Sequence, residues 1–303
     1  MNRLLAIVGP TGVGKSQLAL RLAQAFDGEI VSADSRQVYR YMDIGTAKPS
    51  PEEQALVPHH LIDIVNPDED FSLAQYQQLA YRAIEDIYQR HKLALLVGGS
   101  GLYAWSVLDS WRIPPVAPDP EFRHSLEEKV ARLGKDELYQ ELARVDPVAA
   151  QKIDPRNVRR TIRALEVHQR AEVPISRLQG KATPPFHTLI IGLTTDRAEL
   201  YRRIDLRVDE MIQRGLVDEV KQLVNRGYDS NLPAMSGIGY KQIGLFLRGE
   251  LSLAAAIQQT KFETHRLVRH QNSWFQLKDD RIRWFDIQRE KEAQISALLS
   301  KSY

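Results

Sequence analysis

Residues Gly9 to Ser16 read GPTGVGKS, which fits the spacing G-x-x-x-x-G-K-[ST]. Glycines at this spacing let the backbone fold so that successive N–H groups point at one anion. A helix starting at the end of the loop adds its positive pole. Lys15 supplies a point charge, and the Ser16 hydroxyl is a candidate ligand for Mg²⁺. Gly9, Pro10, Thr11, Gly12, Val13, Gly14, Lys15 and Ser16 therefore form a candidate cradle for a diphosphate. The motif does not say what carries the phosphates. A nucleotide hydrolase usually has an Asp at the end of a neighbouring strand to help hold the metal. The obvious strand for it, LALLVGGSG at residues 93–101, ends without an acid. Asp34, at the end of another apolar run, can act as a general base toward a nucleophile facing a phosphorylated substrate. It can equally cap the turn that follows it.

These residues need elements to hold them. Leu4 to Gly9 (LLAIVG) is a short apolar run closed by a Gly-rich turn, which reads as a buried strand. Leu18, Leu22 and Phe26 then recur at helical spacing. Glu29 to Ala33 gives a second strand, and Leu93 to Val97 a third. Between them Leu73, Tyr76, Ala80, Ala83 and Ile87 mark an amphipathic helix over about 72–90. Apolar strands alternating with helices imply an α/β fold with a parallel sheet covered on both faces. With the loop after the first strand, the expected fold is a P-loop NTPase-like parallel sheet core flanked by helices. Both the loop and Asp34 then lie at the carboxyl edge, where ligands bind.

The character changes at the proline-dense stretch Ile113 to Pro120. Charged helical sequence follows, with no strand signal until Thr188. A second proline break, Thr183-Pro184-Pro185-Phe186, precedes the strand Thr188 to Leu193. Residues 116–185 thus read as a helical insertion domain, with 1–115 and 186–303 as the catalytic core. Beyond it Ile204, Val208, Met211 and Val220 share one face of a single long helix.

Composition sets limits. The chain has 303 residues, 43% of them hydrophobic and 26% charged, as expected of a soluble globular protein of about two domains. It has no cysteine, which excludes disulfides, thiolate catalysis and Cys-ligated zinc and fits a reducing cytoplasm. No apolar run approaches the roughly 20 residues of a membrane span. Net charge is only +2, but Arg156 to Arg163 holds four arginines and no acid, and HRLVRH spans 265–270. Such clusters neutralise phosphates or form a solvated helix face.

Longer blocks carry a resemblance. GPTGVGKS is followed by IVSADSRQVYRYMDIGTAKP (30–49), PHHLIDI (58–64), LLVGGSGLY (95–103), DPVAAQKIDPRNVRRTIRALEV (146–167), GIGYKQ (237–242) and RHQNSWF (269–275). In this order, across nearly the whole chain, they resemble the bacterial tRNA dimethylallyltransferases. The resemblance implies transfer of a dimethylallyl group from dimethylallyl diphosphate, assisted by Mg²⁺. The acceptor is the exocyclic amine of the adenosine just 3′ of the anticodon, in tRNAs reading codons that begin with U. Pyrophosphate leaves and no ATP is consumed. By family correspondence Asp34 is the base, Arg207 lies near the diphosphate and Ser100 near the target nucleotide. Contacts to the tRNA anticodon stem-loop are implied for Asp34, Ser35, Arg36, Gln37 and Ser100. In the insertion they are implied for Arg123, Arg159, Arg160, Thr161, Ile162 and Arg163. Two further blocks complete the set: Ser236, Gly237, Ile238, Gly239, Tyr240 and Lys241, then Arg269, His270, Gln271, Asn272, Ser273, Trp274, Phe275 and Gln276. Trp274 and Phe275 are candidates for base stacking, or for burial. A monomer is expected.

The chain departs from the family pattern in places. Gly12-Val13 replaces Ala-Ser, and Ser16 replaces Thr, without loss of a cradle N–H or the hydroxyl. RHQNSWF differs from the more frequent KRQ-T-WF, and the zinc finger of eukaryotic relatives is absent. Two rivals remain open on the sequence. One is a nucleoside or small-molecule kinase, which shares the loop and the base. The other is a non-catalytic RNA-binding module.

Overall fold

The computed structural model describes residues 3–289 and 292–302. The chain packs as two compact units. One comprises the segment up to Leu108 together with that from Pro184 onward, and the other comprises Asp109–Thr183.

The first unit opens with β1 (Arg3–Val8), the Gly-rich loop and α1 (Lys15–Ala25). There follow β2 (Gly28–Ser32), α2 (Pro51–Leu56), β3 (His59–His60), α3 (Leu73–Gln89), β4 (Leu93–Gly98) and α4 (Gly101–Leu108). β1 is apolar throughout because it is covered on both faces. Leu5 and Ile7 join a cluster with Leu18, Leu22, Leu95, Ile191 and Ile204, while Leu4, Ala6 and Val8 alternate to the other side and are equally buried. Each such Leu or Ile contributes about 1.5–3 kcal/mol by leaving water. α3 starts where its apolar face starts, at a capping box. Ser72 Oγ accepts the Gln75 N–H at 3.2 Å, and Gln75 Oε1 accepts the Ser72 N–H at 2.8 Å.

The second unit contains β5 (Trp111–Arg112), α5 (Pro120–Leu133), α6 (Lys135–Val145), α7 (Pro147–Lys152), α8 (Val158–Ala171), α9 (Ile175–Leu178) and β6 (Gly180–Lys181). Leu126, Leu138, Leu142, Ile162 and Leu165 form its own core. At its base β5 and β6 pair antiparallel, and the Ala182 N–H donates to the Ser110 carbonyl at 2.9 Å. The sequence shows no strand before Thr188. This ribbon corrects that expectation: two residues per strand are too few to display an alternation. Glu166 is 0% exposed. It accepts Arg123 Nε at 2.7 Å and Nη2 at 2.9 Å, the Asp119 N–H at 2.8 Å, and a further bond from Arg163. Burial alone would raise its carboxyl group, yet these donors hold it below the ordinary value.

The chain returns to the first unit with β7 (His187–Thr194), α10 (Arg197–Gln213), α11 (Leu216–Asn225), α12 (Tyr240–Leu247), α13 (Leu253–Trp274), β8 (Ile282–Asp286) and α14 (Glu292–Ser302). The single long helix expected through Val220 is two helices. Gly215, with φ of 98°, breaks it in a left-handed conformation that a residue with a side chain rarely adopts.

The sheet is six-stranded, in the order β3-β2-β4-β1-β7-β8, with every pairing parallel. Val8 lies beside Gly98 on one side and Gly192 on the other, and Ser32 lies beside Val97. The segments following β1, β2 and β4 therefore leave the sheet together. These carry the Gly-rich loop, Asp34 and Ser100.

Candidate active site

The phosphate loop is shaped by three left-handed glycines, Gly9 (φ 136°), Gly12 (φ 84°) and Gly14 (φ 97°). A Cβ on Gly9 would lie 2.5 Å from the Leu193 carbonyl oxygen, so β7 presses directly on the loop. Gly14 is the N-cap of α1 and supplies no side-chain acceptor. The first-turn N–H groups of α1 are thus left without a capping side chain, which suits an anionic ligand. Lys15 Nζ donates to the Pro10 carbonyl at 2.8 Å, folding the side chain back across the loop. Ser16 is exposed in the first turn.

Two further charges converge on Lys15. Burial pulls its ammonium down to about 8. The Asp34 carboxylate opposes that shift and the Arg207 guanidinium reinforces it. Burial also lowers Arg207, against the pull of Asp34 and Glu210. Arg207 comes from α10, which leans on the loop: Ile204 Cγ1 lies 3.1 Å from where a Cβ on Gly12 would be. Arg207 follows one turn later on a neighbouring face. The Asp34 charge thus acts on both Lys15 and Arg207.

Asp34 Oδ1 accepts the Arg36 N–H at 2.8 Å, so the carboxylate does cap its turn. Its Oδ2 accepts no hydrogen bond among the described residues, and lone pairs remain for a proton. Behind it Tyr76 and Tyr103 stack with centroids 3.8 Å apart. Burial raises both phenols, and the charge on Asp34 adds to the effect.

The Asp34–Gln37 turn is held from three directions. Ser100 Oγ accepts the Ser35 N–H at 3.0 Å. Ser32 Oγ donates to Gln37 Oε1 at 3.0 Å. Arg36 Nη1 donates to the Pro233 carbonyl at 2.7 Å, just before the Ser236–Lys241 block. Within that block Ser236 and Lys241 are exposed and Ile238 is partly covered, whereas Gly237, Gly239 and Tyr240 are buried. Tyr240 Oη donates to Glu219 Oε1 at 2.6 Å. Glu219 also accepts the backbone N–H groups of Asp43, Ile44 and Gly45 at 3.0, 2.7 and 3.2 Å. The Tyr240 side chain is thus engaged within the protein. Its ring packs against Gly45, where a Cβ would come within 2.5 Å of it.

The last block divides in the same way. Arg269, His270, Asn272, Ser273 and Gln276 are exposed. Arg269 Nη1 donates to Tyr201 Oη at 3.2 Å. Trp274 is half-buried, and its Nε1 donates to His270 Nε2 at 3.3 Å. Phe275 is core, tilted against Trp105 at 6.1 Å. Gln271 is buried, and its amide bonds to the backbone of Thr11 and Gly99.

In the second unit Arg159 and Arg160 are exposed and make no ion pair among the described residues. Thr161 and Ile162, which follow them on α8, are buried. Arg123 and Arg163 are the partners of Glu166 and serve first to neutralise it.

Among the described residues no group of three or more His, Asp or Glu is arranged to hold a metal. No helix is long and apolar enough to cross a membrane. The sequence reading missed Glu219 and the inward role of Gln271. Both act through backbone groups far away along the chain, and such bonds leave no local pattern.

Comparison with known proteins gives a consistent result. A family model described as IPP transferase matches residues 37–278. A tRNA dimethylallyltransferase of Dehalococcoides mccartyi is 49% identical over 98% of this chain and 91% of its own length. One from Roseiflexus sp. is 55% identical over 91% of this chain and 90% of its own. Among solved structures, the full-length tRNA isopentenylpyrophosphate transferase of Bacillus halodurans superposes with a TM-score of 0.73 at 42% identity, covering 99% of this chain and 95% of that one. A eukaryotic dimethylallyltransferase acting on tRNA gives a TM-score of 0.81 at 28% identity, over 98% of this chain and 78% of that one.

Proposed function

The chain belongs to the IPP transferase family, and from that premise we propose that it prenylates tRNA. It moves a dimethylallyl group from dimethylallyl diphosphate to the exocyclic amine of the adenosine just 3′ of the anticodon. Its tRNAs are those reading codons that begin with U. The observation that carries this reading is the grouping of Lys15, Arg207 and Asp34 at the Gly-rich loop. Two cations suit a leaving diphosphate, and the carboxylate with an uncommitted oxygen suits a nucleophile that must shed a proton.

The steps follow from the chemistry. The bond between the allylic carbon and the diphosphate oxygen breaks, and its electron pair leaves with the diphosphate. The loop N–H groups, Lys15 and Arg207 stabilise the charge that builds there. The adenine amine bonds to the same carbon and passes its proton to Asp34 Oδ2. The target base is extruded from the anticodon loop to reach this point, at a cost of a few kcal/mol. Ser100 and the Asp34–Gln37 turn receive it. The residues present fit Mg²⁺: the Ser16 hydroxyl is exposed in the first turn of α1, beside the uncapped loop N–H groups, and this ion binds through substrate phosphates with few protein ligands. Ser16 would hold it, and when bound it neutralises charge on the diphosphate.

Mass spectrometry of tRNA incubated with the protein and dimethylallyl diphosphate tests the reading. The expected product is tRNA carrying one prenyl group, with pyrophosphate released only when both substrates are present. Release of ADP from ATP in the absence of tRNA would favour a kinase instead.

On the same reading Arg159 and Arg160 bind backbone phosphates. Replacing both with Ala lowers the slope of log affinity against log salt by about 0.7–0.9 for each phosphate no longer neutralised. The weakening is uniform across RNA sequences. Titrations of an anticodon stem-loop at several salt concentrations measure it, and an unchanged slope removes these residues from the interface.

A further inference from the structure

Gln271 is only 6% exposed, and its side chain bonds in two directions. Oε1 accepts the Thr11 N–H at 2.8 Å, within the phosphate loop. Nε2 donates to the Gly99 carbonyl at 3.1 Å, in the turn after β4. One amide on α13 thus ties together two segments that leave neighbouring strands of the sheet. A carboxylate in its place could accept but not donate, and a leucine could do neither.

The turn is built to admit this amide. A Cβ on Gly99 would lie 2.4 Å from Gln271 Nε2, and one on Gly101 would lie 2.2 Å from the Trp274 ring. Gly99 has no positive φ. It is the approach of α13 that crowds a side chain here.

We infer that Gln271 is a positioning residue for the diphosphate. By fixing Thr11 against the β4 turn it holds the loop backbone in its cradle shape before the ligand arrives. The remaining N–H groups then meet the diphosphate without reorganisation. This inference rests on the loop being the diphosphate site, and it gives Gln271 a role at the phosphate loop.

Each of the two hydrogen bonds is worth roughly a two- to tenfold factor. In Gln271→Leu, KM for dimethylallyl diphosphate rises about tenfold, while KM for tRNA stays within about twofold. Calorimetric affinity for inorganic pyrophosphate falls by the same factor as KM for dimethylallyl diphosphate rises. Gly99→Ala displaces the amide and reproduces the loss. Gln271→Ala frees the space, so the double variant Gln271→Ala/Gly99→Ala is no weaker than Gln271→Ala alone. Thermal midpoints identify a variant that has merely unfolded, and Gly99→Ala then decides. A raised KM for tRNA with unchanged pyrophosphate affinity overturns the inference, as does simple additivity of the two substitutions. Absence of prenyl transfer by the unaltered protein counts against the functional reading itself, and the pyrophosphate titration still judges Gln271.

Discussion

Asp34→Asn lowers the transfer rate at least a hundredfold while tRNA affinity changes little. The figure follows from the roughly 10²–10⁴-fold contribution of a positioned general base. Asn is the informative substitution because Asp34 has two jobs in the structure. Its Oδ1 accepts the Arg36 N–H and shapes the turn, and an amide oxygen does that equally well. Its Oδ2 is uncommitted, and only that atom loses its lone-pair basicity in Asn. A loss in Asp34→Asn therefore reports proton transfer, and an additional loss in Asp34→Ala reports the turn. Single-turnover rates with saturating dimethylallyl diphosphate separate the two from binding. Full activity in Asp34→Asn would reduce the residue to a cap.

Lys15→Met lowers kcat/KM for dimethylallyl diphosphate by about 10²–10³-fold, the scale of losing one preorganised donor to a developing anion. The same residue sets the alkaline limb. Lys15 titrates near 8, because burial, with help from Arg207, outweighs the attraction of Asp34. It is charged below that value and neutral above it, and the diphosphate prefers the charged form. kcat/KM for dimethylallyl diphosphate is therefore level below about pH 8 and falls toward tenfold per pH unit above it. Lys15→Arg keeps its charge and moves the limb out of range. A limb that stays at pH 8 in Lys15→Arg belongs to another group. The linkage has a stability side. A lysine whose folded value lies below its unfolded one penalises the free protein fully below about pH 8, and the penalty eases as pH rises from there. Bound diphosphate removes it at neutral pH.

Much of the catalytic edge was legible in the sequence because it is made of local signals. Continuous apolar runs mark β1 and β4, the apolar spacing of Leu73, Tyr76, Ala80 and Ile87 marks α3, and the glycine spacing marks the loop. What escaped has physical reasons. β3, β5 and β6 have two residues each, too few for a period. The apolar face runs on past Gly215, so periodicity joins α10 and α11 although the backbone turns there. Family correspondence extended whole blocks to RNA, yet a helix or turn that touches a ligand turns its other face inward. Thr161, Ile162, Tyr240, Gln271 and Phe275 are those inward faces. Glu219 and Gln271 act on backbone groups 172 to 260 positions away in sequence, where no local reading can follow.

β5 and β6 run side by side, about 5 Å apart, sealed by the Ala182–Ser110 bond and a 2.7 Å ion pair between Lys181 and Asp109. The chain therefore departs and comes back through a single doorway. For the assembly of the sheet, everything between the two strands is topologically a hairpin loop. The entropy of closing such a loop grows only slowly with its length. The length of the helical segment therefore weighs little on closing the sheet around it.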